Sequence, residues 1–120
     1  MVEDNFINQQ VVIEMLKKLH CSVQVAENGQ EAIHTLEDAD KGFDLILMDC
    51  QMPIMDGYEA SRKIRNNLHS NYASTLPIIA LTANAMKGDR EACLSAGMNA
   101  YLSKPIILAE LKTELQKWLK

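Results

Sequence analysis

The chain is 120 residues long and 48% hydrophobic, which suits one domain with a single core between a sheet and its helices. Sixteen acidic residues against twelve basic ones leave a formal charge of −4, with no basic block that could track a nucleic-acid backbone, so direct nucleic-acid binding is not expected. No apolar stretch approaches the ~20 residues that span a bilayer and the first residues lack a signal-peptide pattern, which predicts a cytoplasmic domain without membrane contact of its own. Val11, Val12, Met15, Leu16 and Leu19 then recur at helical spacing, and Ser22 to Ala26 alternates as a strand does. Asn28 is placed to cap a second helix with Ala32, Ile33 and Leu36 on its inward face, and Gly42 breaks the chain before a strand over Phe43 to Met48. Ala60, Ile64 and Leu68 mark a third helix, with Asp56 as its cap, and the polar stretch Asn66 to Thr75 predicts a surface loop leading to a fourth strand after Pro77. A helix from about Met86 to Ala96 stops at Gly97, a short strand covers Ala100 to Leu102, and a last helix carries Leu108, Leu111, Leu115 and Leu119.

Uninterrupted apolar runs such as Leu45 to Met48 and Ile78 to Leu81 imply strands buried on both faces, hence an α/β domain with a doubly wound parallel sheet and helices on both sides. Met1-Val2 is short for the strand that should precede Glu3, given a usual length of about 5 residues. The first strand is therefore expected to be truncated, and residues 1–120 to be a single domain excised from a longer polypeptide. Cys21, Cys50 and Cys93 are odd in number and far apart, which suits reduced thiols packed as small hydrophobes.

Ligand sites in such sheets lie outside the carboxyl ends of the strands. There the sequence places Asp49 after the Phe43 to Met48 run, Thr82 after Ile78 to Leu81, and Lys104 after Leu102-Ser103, with Glu3-Asp4 following the first stub. Carboxylates crowded at about 4 Å repel by roughly 4 kcal/mol at an effective dielectric near 20, a penalty that a hard divalent cation removes. An acidic cluster, a hydroxyl and an ammonium together suit a cation and a phosphoryl group, with Asp49 as the reacting carboxylate. Taken alone, Glu3-Asp4 reads more readily as a solvated turn with a helix cap, and the plain alternative for Lys104 is an ordinary surface lysine, which the following Pro105 disfavours.

Val2-Glu3-Asp4-Asn5, Met48-Asp49-Cys50-Gln51-Met52-Pro53-Ile54-Met55-Asp56-Gly57, Ala80-Leu81-Thr82-Ala83-Asn84 and Tyr101-Leu102-Ser103-Lys104-Pro105, in this order, resemble a response-regulator receiver domain, and most closely those of hybrid sensor histidine kinases. The resemblance implies a five-stranded, flavodoxin-like sheet of order 2-1-3-4-5. It implies that Asp49 accepts a phosphoryl group from a phosphohistidine on a histidine kinase or histidine phosphotransfer protein. Mg2+ would be held by Asp4, Asp49, the backbone carbonyl of Gln51 and, through a water, Glu3. Lys104 would pair first with Asp49 and then with a phosphoryl oxygen, aimed by a cis bond to Pro105. Thr82 would move toward the phosphoryl group with the loop Ala83 to Met86, and Tyr101 would turn inward, altering the surface of the fourth helix, fifth strand and fifth helix. Such a domain promotes its own phosphorylation and dephosphorylation, and a hybrid kinase parent could be membrane-anchored.

Gln51 and Asn84 flank the expected phosphoryl position and could tune its lifetime. Met52, Pro53, Met55 and Gly57 are read as shaping the loop after the active strand. His34 and His69 lack the neighbours of a phosphodonor, Trp118 reads as a packing residue, and His20 stands where a left-handed turn residue is needed. A homodimer through the fourth-helix to fifth-helix face is possible, although the Leu108 to Leu119 pattern is equally explained by burial. Two other functions fit less well. An interaction module without phosphorylation needs none of the five key side chains, and a magnesium-dependent aspartyl phosphatase usually has a second Asp where this chain has Gln51.

Overall fold

Three parallel strands make the centre of the molecule, β1 (Ile46–Asp49), β2 (Ile78–Thr82) and β3 (Ala100–Ser103), side by side in that order. The structure is a computed structural model that describes residues 1–38, 43–50, 56–67, 76–82, 87–104 and 106–119. Every residue of β1 and β2 is buried, because helices cover both faces of the sheet. Side chains alternate across a strand, so Leu47, Ile79 and Leu81 meet Val12 and Leu16 of α1 (Phe6–Lys18) and Leu111 and Leu115 of α5 (Leu108–Trp118). Ile46, Met48, Ile78 and Ala80 face the other way, onto α2 (Gly29–Asp38), α3 (Gly57–Asn67) and α4 (Lys87–Ser95), where Ala32, Leu36, Ile64 and Cys93 complete a second apolar layer. The leucine pattern of the last helix is thus directed at the sheet.

Beyond β1 the sheet continues as two single bridges. Val2 pairs in parallel with Met48 on one side and with Ala26 on the other, which reproduces the order 2-1-3-4-5 with its first two strands reduced to stubs. The strand expected over Ser22 to Ala26 is corrected accordingly: it forms a bridge at Ala26 only. A strand needs a partner for its ladder, and the segment alongside is Met1 to Glu3.

The local signals hold the helices where they are needed. Asn5 Oδ1 accepts from the Asn8 N–H at 3.1 Å, Asn28 Oδ1 from Glu31 N–H at 2.9 Å, and Asp56 Oδ1 from Glu59 N–H at 2.8 Å, so α1, α2 and α3 each start on a side-chain cap. His20, just past α1, has φ +61°, the left-handed turn expected of it. Gly97 ends the α4 unit at φ +95° and presents its carbonyl to Arg65 Nε at 3.0 Å. The same guanidinium reaches Asn99 Oδ1 at 2.8 Å, which also accepts from Ile78 N–H at 2.9 Å. α3 is thereby tied to the entry of both β2 and β3.

Some boundaries differ from the sequence reading. α3 runs through Asn66 to Asn67, while Leu68 and residues 69–75 lie outside the described residues. On α1 the buried side is Gln9, Val12 and Leu16, and Val11 is exposed. Trp118 is half-buried against the α1 and α5 layer, donating from Nε1 to Glu114 at 3.3 Å. The thiols of Cys21, Cys50 and Cys93 are free, and the latter two are buried. Among the described residues, no helix is long and apolar enough to cross a membrane.

Candidate functional site

Strand β1 ends in Asp49, whose backbone N–H is held by the Val2 carbonyl at 3.0 Å. That bond places the tip of the stub, Glu3-Asp4, beside the tip of β1. The carboxylates of Glu3, Asp4 and Asp49 consequently have oxygens all within 4.8 Å of one another, with Glu3 and Asp49 buried and Asp4 exposed. Lys104 enters from the far side. Its backbone N–H bonds the Thr82 carbonyl at 2.7 Å, and its Nζ lies 3.1 Å from Asp49 Oδ1 and 3.4 Å from Glu3 Oε2. Thr82 is buried at the end of β2, one residue past Leu81, which stands directly opposite Asp49 in the ladder.

The charges do not balance within this cluster. Burial, reinforced by the charge of Asp49, raises the pKa of Glu3, against the Asn5 N–H and the Lys104 ammonium that oppose the rise. Burial alone would lower the pKa of Lys104, but its bond to Asp49 and the charges of Asp49 and Glu3 outweigh it and the net direction is upward. Among the described residues, one ammonium thus pairs with two of the three clustered carboxylates. The donor set is oxygen only, partly buried and over-rich in negative charge, which fits a hard divalent ion such as Mg2+ and offers nothing to a soft metal.

Two α1 residues that the sequence reading passed over hold Glu3 in place. Gln9, buried on the inward side of the helix, donates from Nε2 to the Glu3 carbonyl at 2.7 Å. Asn5 N–H approaches Glu3 Oε1 at 3.2 Å, and Asn8 Nδ2 reaches the same oxygen at 3.5 Å. The available signal was a polar residue on the same helix face as Val12 and Leu16. Replacing Gln9 with Leu leaves the Glu3 carbonyl without its donor. We expect Mg2+ affinity, measured by titration calorimetry, to fall about tenfold, as loss of groups that orient metal ligands does elsewhere, and an unchanged affinity would count against this positioning.

Gly57 packs its Cα against the backbone that carries Asp49. A Cβ there would overlap the Asp49 carbonyl oxygen and lie 2.9 Å from Cys50 Cα, so the start of α3 sits this close to β1 only as glycine. Cys50, next to Asp49, has its thiol pushed up to about 12, first by burial and then by Cys93 nearby, which favours the protonated thiol over a thiolate.

Tyr101 is half-buried in β3 opposite Ala80 and borders two cavities, one of about 570 Å3 between β3 and α5 and one of about 250 Å3 between α4, β3 and α5. Gln51, Pro105 with its expected cis bond, Asn84 and the loop Ala83 to Met86 lie outside the described residues. His34 is an exposed helix residue whose Nε2 lies 3.2 Å from Gln30 Nε2, while His69 lies outside the described residues.

The response regulator receiver domain family matches residues 1–116. Hybrid signal transduction histidine kinase A of Dictyostelium discoideum is 38% identical over 117 residues, which are 98% of this chain and 5% of that kinase. Hybrid signal transduction histidine kinase B of the same organism is 42% identical over 125 residues, covering 98% of this chain and 6% of that protein. The chain therefore spans a small part of the length of these relatives. The receiver domain of the sensor histidine kinase PA1611 from Pseudomonas aeruginosa PAO1, crystallised with a magnesium ion coordinated in its active site cleft, matches with a TM-score of 0.86 at 49% identity, covering 98% of this chain and 92% of that one. A co-crystal structure of the Saccharomyces cerevisiae histidine phosphotransfer protein Ypd1 with the receiver domain of its downstream response regulator Ssk1 matches with a TM-score of 0.86 at 37% identity, covering 98% and 84%. With a family match over nearly its whole length, on a fold that carries an acidic cluster and a lysine at the carboxyl ends of its strands, this chain belongs to the response regulator receiver domain family.

Proposed function

We propose that Asp49 is the phosphoacceptor of a two-component phosphorelay and takes its phosphoryl group from a phosphohistidine of a histidine kinase or histidine phosphotransfer protein. The observation that carries this reading is the placement of Asp49 among Glu3, Asp4 and Lys104, with Lys104 Nζ 3.1 Å from its oxygen. In the transfer an Asp49 oxygen forms a bond to phosphorus while the bond from phosphorus to the donor imidazole breaks, its electron pair returning to the ring nitrogen. Mg2+ held by Asp4 and Asp49, with Glu3 acting through a water, would neutralise these carboxylates and the phosphoryl oxygens. Lys104 gives up its pairing with Asp49 and takes one phosphoryl oxygen instead, so its charge stays compensated throughout. Thr82, at the next strand end, donates its hydroxyl to another. Tyr101 has open space on two sides to change rotamer as Thr82 shifts, which biases the α4 and α5 surface.

A protein donor also suits the surroundings of the site. α1 begins two residues after Asp4 and exposes Phe6 by 70% and Ile7 by 72%, with Val11 one turn on. On the Lys104 side, Ile107 is exposed at the start of α5. Apolar side chains on both flanks of a charged cleft are what a macromolecule delivering a phosphoryl group would cover. The relatives that contain comparable sequences are hybrid kinases many times longer, which supports this chain acting as one module of such a protein.

The test compares two donors. With Phe6→Asp and Ile7→Asp introduced together, transfer from a phosphorylated histidine phosphotransfer protein should slow by about 30-fold or more, as for buried anchor residues. Phosphorylation by a small-molecule donor should keep its rate. Equal loss with both donors, or loss with neither, would contradict a protein donor docked on α1.

A further inference from the structure

The carboxyl end of α4 closes with two hydrogen bonds that fold back onto the helix. Gly97 N–H bonds the Leu94 carbonyl at 3.1 Å and Met98 N–H the Cys93 carbonyl at 3.0 Å, with Gly97 left-handed at φ +95°. Cys93 and Met98, the residues that this closure joins, are both buried in the apolar layer on that side of the sheet.

Arg65 of α3 adds a clasp from outside. Its Nε donates to the Gly97 carbonyl at 3.0 Å and its Nη2 to Asn99 Oδ1 at 2.8 Å. Asn99 in turn holds the first residue of β2 from both directions, its N–H on the Ile78 carbonyl at 2.8 Å and its Oδ1 accepting from Ile78 N–H at 2.9 Å. The last turn of α4 contains no basic residue of its own, so the guanidinium supplies positive charge where the helix dipole is negative. The fit is close, because a Cβ at Gly97 would stand 2.8 Å from Arg65 Cγ. These contacts all lie at the amino edge of the sheet, away from Asp49.

The other end of α4 follows Thr82 in the chain after residues 83–86. A helix of nine residues is about 13 Å long, so a displacement of about 2 Å at one end with the other fixed turns it by about 9°. Cys93, Leu94 and Tyr101 border the cavity of about 250 Å3 whose shape such a turn would change. We propose that Arg65 is the fulcrum of α4, fixing its carboxyl end to α3, β2 and β3 so that a pull from Thr82 turns the helix about Gly97 instead of carrying it along. This rests on Asp49 being the phosphoacceptor and adds which end of α4 stays still. Arg65 acts through Gly97 and Asn99, as a positioning residue.

The unaltered chain, Arg65→Met, Arg65→Lys and the core control Leu111→Ala test it. Each is treated with Mg2+ and a small-molecule phosphodonor, loading is checked by intact mass, and backbone-amide NMR shifts are read before and after. In the unaltered chain the shift changes should be large at Lys87–Asp89 and fade toward Gly97–Asn99. In Arg65→Met they should extend through Gly97–Asn99, and hydrogen exchange at the Met98 and Asn99 amides should be about tenfold faster. Arg65→Lys keeps the charge without the planar fork, and keeps the fold should Arg65→Met lose it; it should show the same spread. Leu111→Ala should keep the unaltered distribution. Equal changes at both ends of α4 in the unaltered chain, an unaltered distribution in either folded Arg65 variant, or the same spread in Leu111→Ala would overturn the fulcrum and leave the phosphoacceptor standing. Absence of any mass gain in the unaltered chain would overturn the phosphoacceptor reading, and the fulcrum with it.

Discussion

Lys104→Met should lower the stability of the metal-free chain by about 3 kcal/mol, and Mg2+ should restore a large part of it. The lysine is the ammonium within 3.4 Å of both buried carboxylates, Glu3 and Asp49. Removing one partner of such an arrangement leaves uncompensated charge, which costs about 3–5 kcal/mol in buried pairs, and the partial exposure of Lys104 puts this case at the lower end. Methionine keeps the apolar stem, so packing is little changed. A divalent cation that binds the folded state takes over part of the neutralisation and raises Tm by mass action. Urea unfolding of both proteins in chelator and in magnesium checks this, and equal stability in chelator would show that Lys104 does not balance the cluster.

Gly57→Ala should damage fold and site together. The added methyl would meet the carbonyl oxygen of Asp49 and lie 2.9 Å from Cys50 Cα, and backbone atoms cannot rotate away as a side chain does. Overpacking of this kind costs about 3 kcal/mol. Relief requires α3 to back away from β1, which moves the Asp49 carboxylate. A displacement near 1 Å at a reacting atom lowers a rate by about a hundredfold. Phosphorylation by a small-molecule donor should therefore slow far more in Gly57→Ala than in an equally destabilised variant of α5, Leu111→Ala. Equal slowing in both would assign the effect to stability alone.

Much of this architecture was legible because its signals are local. Asn28 and Asp56 announce helix starts, the runs at Leu45 to Met48 and Ile78 to Leu81 announce strands buried on both faces, and Gly97 announces a left-handed stop. In a parallel sheet, a polar residue ending such a run lies at the carboxyl edge, so the convergence of Asp49, Thr82 and Lys104 follows from topology. Features that depend on distant partners were not legible. The strand over Ser22 to Ala26 fails to form beyond Ala26 because pairing, rather than its own alternation, decides it. Gln9 looks like a polar intrusion into the α1 stripe until its amide is seen on the Glu3 carbonyl. The tie from Arg65 to Gly97 and Asn99 joins residues more than thirty positions apart, and no local pattern encodes it.

If Asp49 is the phosphoacceptor, its carboxylate oxygen is the atom that bonds phosphorus. Incubating the chain with Mg2+ and a small-molecule phosphodonor, then measuring intact mass alongside Asp49→Asn, tests it most directly. The unaltered chain should gain one phosphoryl group in a magnesium-dependent manner, and Asp49→Asn should gain none. A phosphoryl group acquired equally by Asp49→Asn, or no gain by the unaltered chain in the presence of magnesium, would contradict it.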